Sequence, residues 1–380
     1  MTALSGTDLL NDMAALEAAD PHEMLPAIAS GAAQVRQAAL LAAEAGVAAL
    51  ADEGRPRSIV VCGMGGSAIA GDILAAVTGP GSPVQVVTHR GYGLPGWVGA
   101  ADLVVAVSCS GSTEETLSAL DEAVRRGCRL LVVGAVDSPV WALGERGRAV
   151  LVPATQGRQP RASVWSLSTP LVIAAHALGL VQADEAVVEA TAVQLEQVAL
   201  RCRVDADHFA NPAKTLALEL ADALPVIWGT SALAGTAAYR FACQLNENAK
   251  IPAVWGVLPE ANHNQVVAFD GPFADGSPSS SADLFADRGD DVERTRFRLV
   301  LLRDSEEHPQ VRRRTEVSIE LARERGVEVS TVMAEGRSSF ERLASLVGVT
   351  DWASAYLALL EGRDPTPVEA ITALKRRIAP

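Results

Sequence analysis

The sequence holds no Cys-x-x-Cys pair, no uncharged apolar run of membrane-spanning length, no basic stretch ahead of an apolar core in Met1–Leu16, and no excess of positive charge. Each absence removes a class of function. The five cysteines, Cys62, Cys109, Cys128, Cys202 and Cys243, are odd in number and far apart, which argues against a disulfide framework or a thiolate metal site and for a reducing cytoplasm. Without a spanning run or a leader, the expectation is a soluble, unexported chain with no membrane partner. A formal net charge of −14 argues against nucleic acid as a partner, because phosphate backbones need a broad basic surface. A small anionic substrate stays compatible, since backbone N–H groups, hydroxyls and one or two cations hold a phosphate monoester inside an acidic protein.

What is present is enough for two cores. The chain has 380 residues, 49% hydrophobic and 21% charged, and domains usually run to about 100–200 residues. Residues 1–50 read as a helical lead-in, 51–190 as a first domain, and 191–380 as a second domain with a C-terminal helix. Short β-branched runs, Ser58–Cys62, Val84–Thr88, Leu103–Val107 and Arg129–Gly134, alternate with helix-length segments, which predicts an α/β domain with a parallel sheet covered on both faces. Residues 153–163 read as loop. A second alternation, with strands at Pro225–Trp228, Phe297–Leu302 and Val327–Val332 and helices near Ala232–Asn248, His308–Arg325 and Ser338–Glu361, repeats that architecture. Gly271–Asp291 reads as an exposed loop from its Gly, Ser, Pro and Asp content.

In such folds ligands bind where loops leave the C-terminal ends of the strands. Two strand exits qualify. The first, Cys62-Gly63-Met64-Gly65-Gly66-Ser67-Ala68, lets backbone approach an anion before a helix starts near Ser67. It also satisfies Gly-x-Gly-x-x-Ala, so a dinucleotide-binding turn remains open, as does a plain packing turn; the second strand ends at Thr88-His89-Arg90 without the acid that would hold a ribose. The second exit, Ser108-Cys109-Ser110-Gly111-Ser112-Thr113-Glu114-Glu115-Thr116, clusters hydroxyls ahead of a helix with acidic residues in its first turn. Ser108, Ser110 and Thr113 can surround the three oxygens of a phosphate monoester, whereas an N-cap in a serine-rich turn accounts for one or two of them.

With Pro160-Arg161-Ala162, Asn246-Glu247-Asn248-Ala249-Lys250, Asn262-His263-Asn264, Asp364-Pro365-Thr366-Pro367 and Leu374-Lys375, these motifs resemble the sugar-isomerase (SIS) superfamily, and within it the bifunctional phosphoglucose/phosphomannose isomerase branch, from about residue 57 to the C-terminus. The resemblance implies two SIS domains of flavodoxin-like type. It implies an aldose–ketose isomerase that interconverts glucose 6-phosphate or mannose 6-phosphate with fructose 6-phosphate through a cis-enediol, in sugar metabolism. It further implies that Gly65, Gly66, Ser67, Ser108, Ser110 and Thr113 hold the substrate phosphate. Cys109 stands where an aromatic residue is usual in the family, Ser112 where asparagine is, Ser163–Ser166 where small residues, an aromatic and Gly-Tyr are, and Gln265 where a glutamate is frequent.

Such a reaction needs a carboxylate base, a group that opens the sugar ring and a cation for the enediolate, and no cofactor or metal. Glu247, in a polar cluster closing an apolar helix, is the candidate base; the plainer reading is a surface glutamate paired with Lys250. His263 is the candidate ring-opening group, in place of a capping histidine, and the resemblance implies that it reaches the site from a second subunit of a homodimer. Arg161, after the Gly157–Pro160 turn, is the candidate cation or else an interdomain ion-pair partner. The resemblance implies that Lys375 closes the pocket and that Thr366 lies near C2; Lys375 also fits a solvated lysine beside Arg376 and Arg377. A sugar-phosphate sensor using the same loops without catalysis is the competing function.

Overall fold

The computed structural model describes residues 6–155, 157–274 and 295–378. By internal contacts it divides into two compact units. One comprises Pro26–Val198 with Glu335–Ser345; the other comprises Met1–Leu25, Ala199–Ala334 and Leu346–Pro380. The lead-in is helical, with helices Gly6–Asn11, Met13–Ala19, Met24–Ala29 and Gly31–Glu44.

The first unit is built on five strands: β1 (Ser58–Cys62), β2 (Gln85–His89), β3 (Leu103–Ser108), β4 (Arg129–Gly134) and β5 (Val150–Pro153). They pair in parallel in the order β2-β1-β3-β4-β5, the flavodoxin-like doubly wound order. Alternation explains why both faces are covered. Ile59, Val61, Leu103, Val105, Val107, Leu131 and Val133 enter one apolar cluster. Their neighbours Val60, Cys62, Val104, Ala106, Leu130 and Val132 enter another on the opposite face. Each such Val or Ile, fully buried, contributes about 1.5–3 kcal/mol relative to exposure, so a charge at Val105 would break the sheet. Burial pushes the Cys62 thiol up to about 12, so it packs as an apolar side chain. The edge strand β5 is a departure from the sequence expectation, which gave its last residue to a loop; a proline is tolerated at a sheet edge because no ladder N–H is lost there.

The second unit carries β6 (Ala223–Gly229), β7 (Val254–Val257), β8 (Arg296–Arg303) and β9 (Glu328–Met333), parallel in the order β7-β6-β8-β9. The order repeats the first four strands of the other sheet. β7, a four-residue edge strand, adds to the three strands expected from sequence. The expected loop Gly271–Asp291 lies, from residue 275 onward, outside the described residues. Among the described residues one helix, Ser339–Leu360, is long and apolar enough to cross a membrane, but 94% of its apolar window is buried inside the protein. Its Asp351 forms a buried bidentate pair with Arg240, at 3.0 Å to Nε and 2.7 Å to Nη2, and accepts Gln244 Nε2 at 3.2 Å. That is a core helix fixed by a fully paired charge.

Candidate functional site

In the first sheet the strand order reverses between β1 and β3, and there the two predicted exits meet. After β1 the chain turns through Gly65, at φ +51°, into the helix Gly66–Thr78. After β3 it turns into the helix Glu114–Arg125, whose N-cap is Thr113. Ser67 Oγ accepts the Cys109 N–H at 3.3 Å and ties the exits together. Ser108 Oγ lies 3.1 Å from Thr113 Oγ1, and Ser110 Oγ accepts both the N–H (3.4 Å) and the hydroxyl (3.3 Å) of Ser112. Neither helix has a side-chain cap at its N-terminus. The N-terminal turns of two helices, with their positive dipole ends, therefore lie beside the hydroxyls of both exits, a setting suited to a phosphate monoester, although the Ser67 and Ala68 N–H groups already reach Met64 O at 3.1 Å and Gly65 O at 3.0 Å.

The second sheet has the same reversal between β6 and β8 but fills it internally. Ser231 caps the helix Ala232–Gln244 through Ala234 N–H at 3.1 Å and donates to Asp304 at 2.8 Å. A buried carboxylate of the chain thus lies beside the N-terminus of this helix. The helix N-termini at the first switch point carry no such side-chain cap.

The turn carrying Arg161 lies against the loop after β1. Arg161 is 3% exposed, on the turn Pro160–Ala162. That turn lies against the phosphate loop so closely that a Cβ on Gly66 would sit 3.0 Å from the Pro160 carbonyl carbon and 3.1 Å from the Arg161 nitrogen. Glycine at 66 is therefore a requirement of close approach. Gln34 Nε2 holds the turn through Ala162 O at 2.8 Å, and Ser163 Oγ donates to Gln159 O at 3.0 Å. Burial pushes the Cys109 thiol up, against a hydrogen bond with Ser163, so Cys109 packs as a neutral group between nest and turn. At the end of β2, Arg90 is ion-paired with Asp72, which engages the guanidinium that a dinucleotide 2′-phosphate would need.

The other candidates lie in the second unit. The helix Ala232–Gln244 widens into a π turn, Leu245–Ala249, which carries half-buried Glu247. Sequence periodicity gave a continuous helix to Asn248, and the wider turn is a feature common at functional sites. Buried Asn248 donates to Ser354 Oγ at 2.9 Å. Lys250, at φ +62°, turns its ammonium back onto the carbonyls of Glu247 (2.8 Å) and Asn248 (3.1 Å) and reaches Asp364 O at 3.5 Å. Asp364 in turn accepts the Thr366 N–H at 2.9 Å and contacts His22 Nδ1 at 2.5 Å. One lysine thus joins the Glu247 turn to the turn that presents Thr366. Lys375 sits exposed on the helix Glu369–Ile378, and no described hydrogen bond or ion pair joins it to the Glu247 turn.

His263 is exposed, at the end of a 3₁₀ turn Glu260–His263 that follows the C-terminal end of β7. Glu247 precedes β7, at the far end of a 13-residue helix that starts beside the C-terminal end of β6. A rise of about 1.5 Å per residue separates the two ends of that helix by about 20 Å. A single chain therefore holds Glu247 and His263 towards opposite ends of β7.

A family model described as bacterial phospho-glucose isomerase C-terminal SIS domain matches residues 209–378. The chain is similar to a bifunctional phosphoglucose/phosphomannose isomerase of Caldicellulosiruptor bescii, 32% identical over 84% of this chain and 89% of the relative. A protein of the same description from Aquifex aeolicus is also 32% identical, over 85% of this chain and 90% of its own. Among solved structures, a hypothetical protein of Thermus thermophilus matches with a TM-score of 0.68 at 18% identity, covering 93% of this chain and 90% of that one. The C-terminal domain of glucosamine-fructose-6-phosphate aminotransferase from Francisella tularensis matches with a TM-score of 0.62 at 13% identity, covering 90% and 98%. These two likenesses show the two-sheet α/β fold.

Proposed function

The chain belongs to the bifunctional phosphoglucose/phosphomannose isomerase family, and from that premise we propose that it is an enzyme interconverting glucose 6-phosphate and mannose 6-phosphate with fructose 6-phosphate. The observation that carries the reading is the switch point of the first sheet, where two helix N-termini without side-chain caps meet the hydroxyls of Ser67, Ser108, Ser110 and Thr113. A hexose 6-phosphate bound there extends its carbon chain away from a fixed phosphate, so C1 and C2 meet other groups at a set distance.

In this reading Glu247 moves the proton between C2 and C1, and Arg161 stabilises the enediolate oxygen. His263 takes the proton that ring opening requires, and Thr366 borders C2, where glucose and mannose differ. Lys375 closes the pocket. The separation of Glu247 and His263 in one chain favours a homodimer in which the partner copy lends the imidazole. The surface around His263 supports that: β7 is an edge strand, Val254 and Trp255 on it are 43% and 42% exposed, and Val267 is 65% exposed. No group of three or more His, Cys, Asp or Glu among the described residues is placed to hold a metal ion, and the chemistry asks for none. The five cysteines, none of them in a disulfide, fit a reducing cytoplasm, where the reaction would serve both breakdown and synthesis of hexoses.

The test is a coupled assay of purified protein on each hexose 6-phosphate, with Glu247→Gln alongside. Turnover that the substitution lowers by a hundredfold or more, on the order expected for loss of a general base, supports the reading. Tight hexose-phosphate binding with no isomer exchange by NMR would make the protein a sensor instead.

A further inference from the structure

His263 is exposed, and no described hydrogen bond reaches its imidazole. A side chain meant to meet a substrate held by other elements must be aimed by its backbone, and what fixes that backbone lies on either side. On the N-terminal side Asn262 Nδ2 donates to Ser318 Oγ at 2.8 Å, on the helix Pro309–Glu324. On the C-terminal side is Gln265, whose amide bridges two strands. Its Oε1 accepts the Trp228 indole N–H of β6 at 2.6 Å, and its Nε2 donates to the Trp255 carbonyl of β7 at 2.9 Å.

The orientation of that amide is forced by chemistry: an indole N–H only donates and a carbonyl only accepts. The bridge is also built into the packing. A Cβ on Gly256 would lie 2.7 Å from Gln265 Oε1 and 2.8 Å from Nε2, so only glycine leaves room for the amide against β7. Trp228 is fully buried and stacks on Phe269, four residues beyond Gln265, with ring centroids 5.4 Å apart. The turn carrying His263 is thus stitched to both strands through one side chain two positions away.

We infer that Gln265 is the positioning residue for His263, holding the imidazole's turn at the height of the β6–β7 edge. The inference rests on the proposed ring-opening role of His263. Glutamate at 265, frequent there in the family, would in this chain's own packing keep the acceptor for Trp228 but, when ionised, has no donor for the Trp255 carbonyl that Gln265 Nε2 meets and sets a carboxylate against it. Protonation restores that donor.

The experiment reads ring opening separately from isomerisation, by measuring exchange between the α and β anomers of glucose 6-phosphate with exchange NMR, alongside kcat and KM for isomerisation. Four variants are compared with the unsubstituted protein: Glu247→Gln, His263→Asn, Gln265→Leu and Gln265→Glu. The expected result is that Glu247→Gln loses isomerisation and keeps anomer exchange, while His263→Asn loses both. Gln265→Leu should lower anomer exchange and kcat together by roughly tenfold or more, a loss in keeping with displacement of a working group, with KM within about twofold. Gln265→Glu should recover part of that loss, relative to the unsubstituted protein, as pH falls through the carboxyl range. If Gln265→Leu does not fold, Gln265→Glu carries the test through its pH profile. If His263→Asn keeps anomer exchange, the ring-opening role itself is wrong. If His263→Asn loses it while folded Gln265 variants match the unsubstituted protein at every pH, the positioning inference is overturned.

Discussion

Ser67 Oγ accepts the amide N–H of Cys109 at 3.3 Å, so the exits of β1 and β3, more than 40 positions apart in sequence, share one hydrogen bond at the crevice proposed to hold the substrate phosphate. The bond spans the point where the strand order reverses, and it fixes the spacing of two helix N-termini. Ser67→Ala should therefore act twice. It leaves a buried N–H without its acceptor, a loss of about 1–3 kcal/mol in urea unfolding, and it raises KM for hexose 6-phosphates with a smaller change in kcat. Saturating inorganic phosphate should raise the melting temperature of the unsubstituted protein more than that of the variant.

The Arg240–Asp351 pair is buried on both sides, so breaking it leaves an uncompensated charge. Asp351→Ala should lower unfolding stability by about 3–5 kcal/mol. The double variant Arg240→Met with Asp351→Leu should recover most of it, because the remaining charge is removed as well. Equilibrium denaturation of the three proteins checks this.

Asp102 is buried beside Arg57. Burial alone would raise its carboxyl, but hydrogen bonds from Arg57, the Gly99 N–H and Ser58 outweigh that and hold it below the usual carboxylate range. The sign follows from the depressed folded value: the carboxylate's stabilising contribution is present above the unfolded value near pH 4 and is lost as pH falls through the folded one. Asp102→Asn should be less stable at pH 7, and the gap to the unsubstituted protein should shrink on acidification below about pH 4. Urea midpoints measured against pH give the comparison.

Lys250 links the Glu247 turn to the Asp364–Thr366 turn through backbone carbonyls. Lys250→Met keeps the length of the side chain and removes the donors. It should lower kcat on both glucose 6-phosphate and mannose 6-phosphate several-fold, by loosening Glu247, while the affinity for inorganic phosphate at the first unit stays unchanged.

Much of this was written in local pattern. The β-branched runs gave β1 and β4 to the residue and β3 to within one, because parallel central strands are apolar on both faces and need no partner to be recognised. β5 and β7 escaped because each is four residues long and lies at an edge, with Pro153 in one and Gly256 in the other. The hydroxyl cluster at Ser108–Thr113 was legible because its side chains are neighbours in the chain, and the second sheet's filled switch point was not, because Ser231 and Asp304 are 73 positions apart. The same holds for Gln265, whose partner Trp228 lies 37 positions away. Arg161 stood out as a residue type after a turn, but its burial against Gly66 is a fact of packing. The π turn at Glu247 left no mark in the apolar periodicity, since widening a single turn shifts hydrogen bonds without changing which face is apolar.

In the proposed homodimer Glu247 of one copy works with His263 of another. The direct measurement is complementation: Glu247→Gln and His263→Asn chains, each inactive alone, are co-expressed and the mixed protein is assayed on fructose 6-phosphate. A shared site predicts that activity returns to about a quarter of the unsubstituted value, since half the dimers are mixed and each mixed dimer regains one intact site. A mixed preparation that contains heterodimers yet stays as inactive as its parents would contradict it.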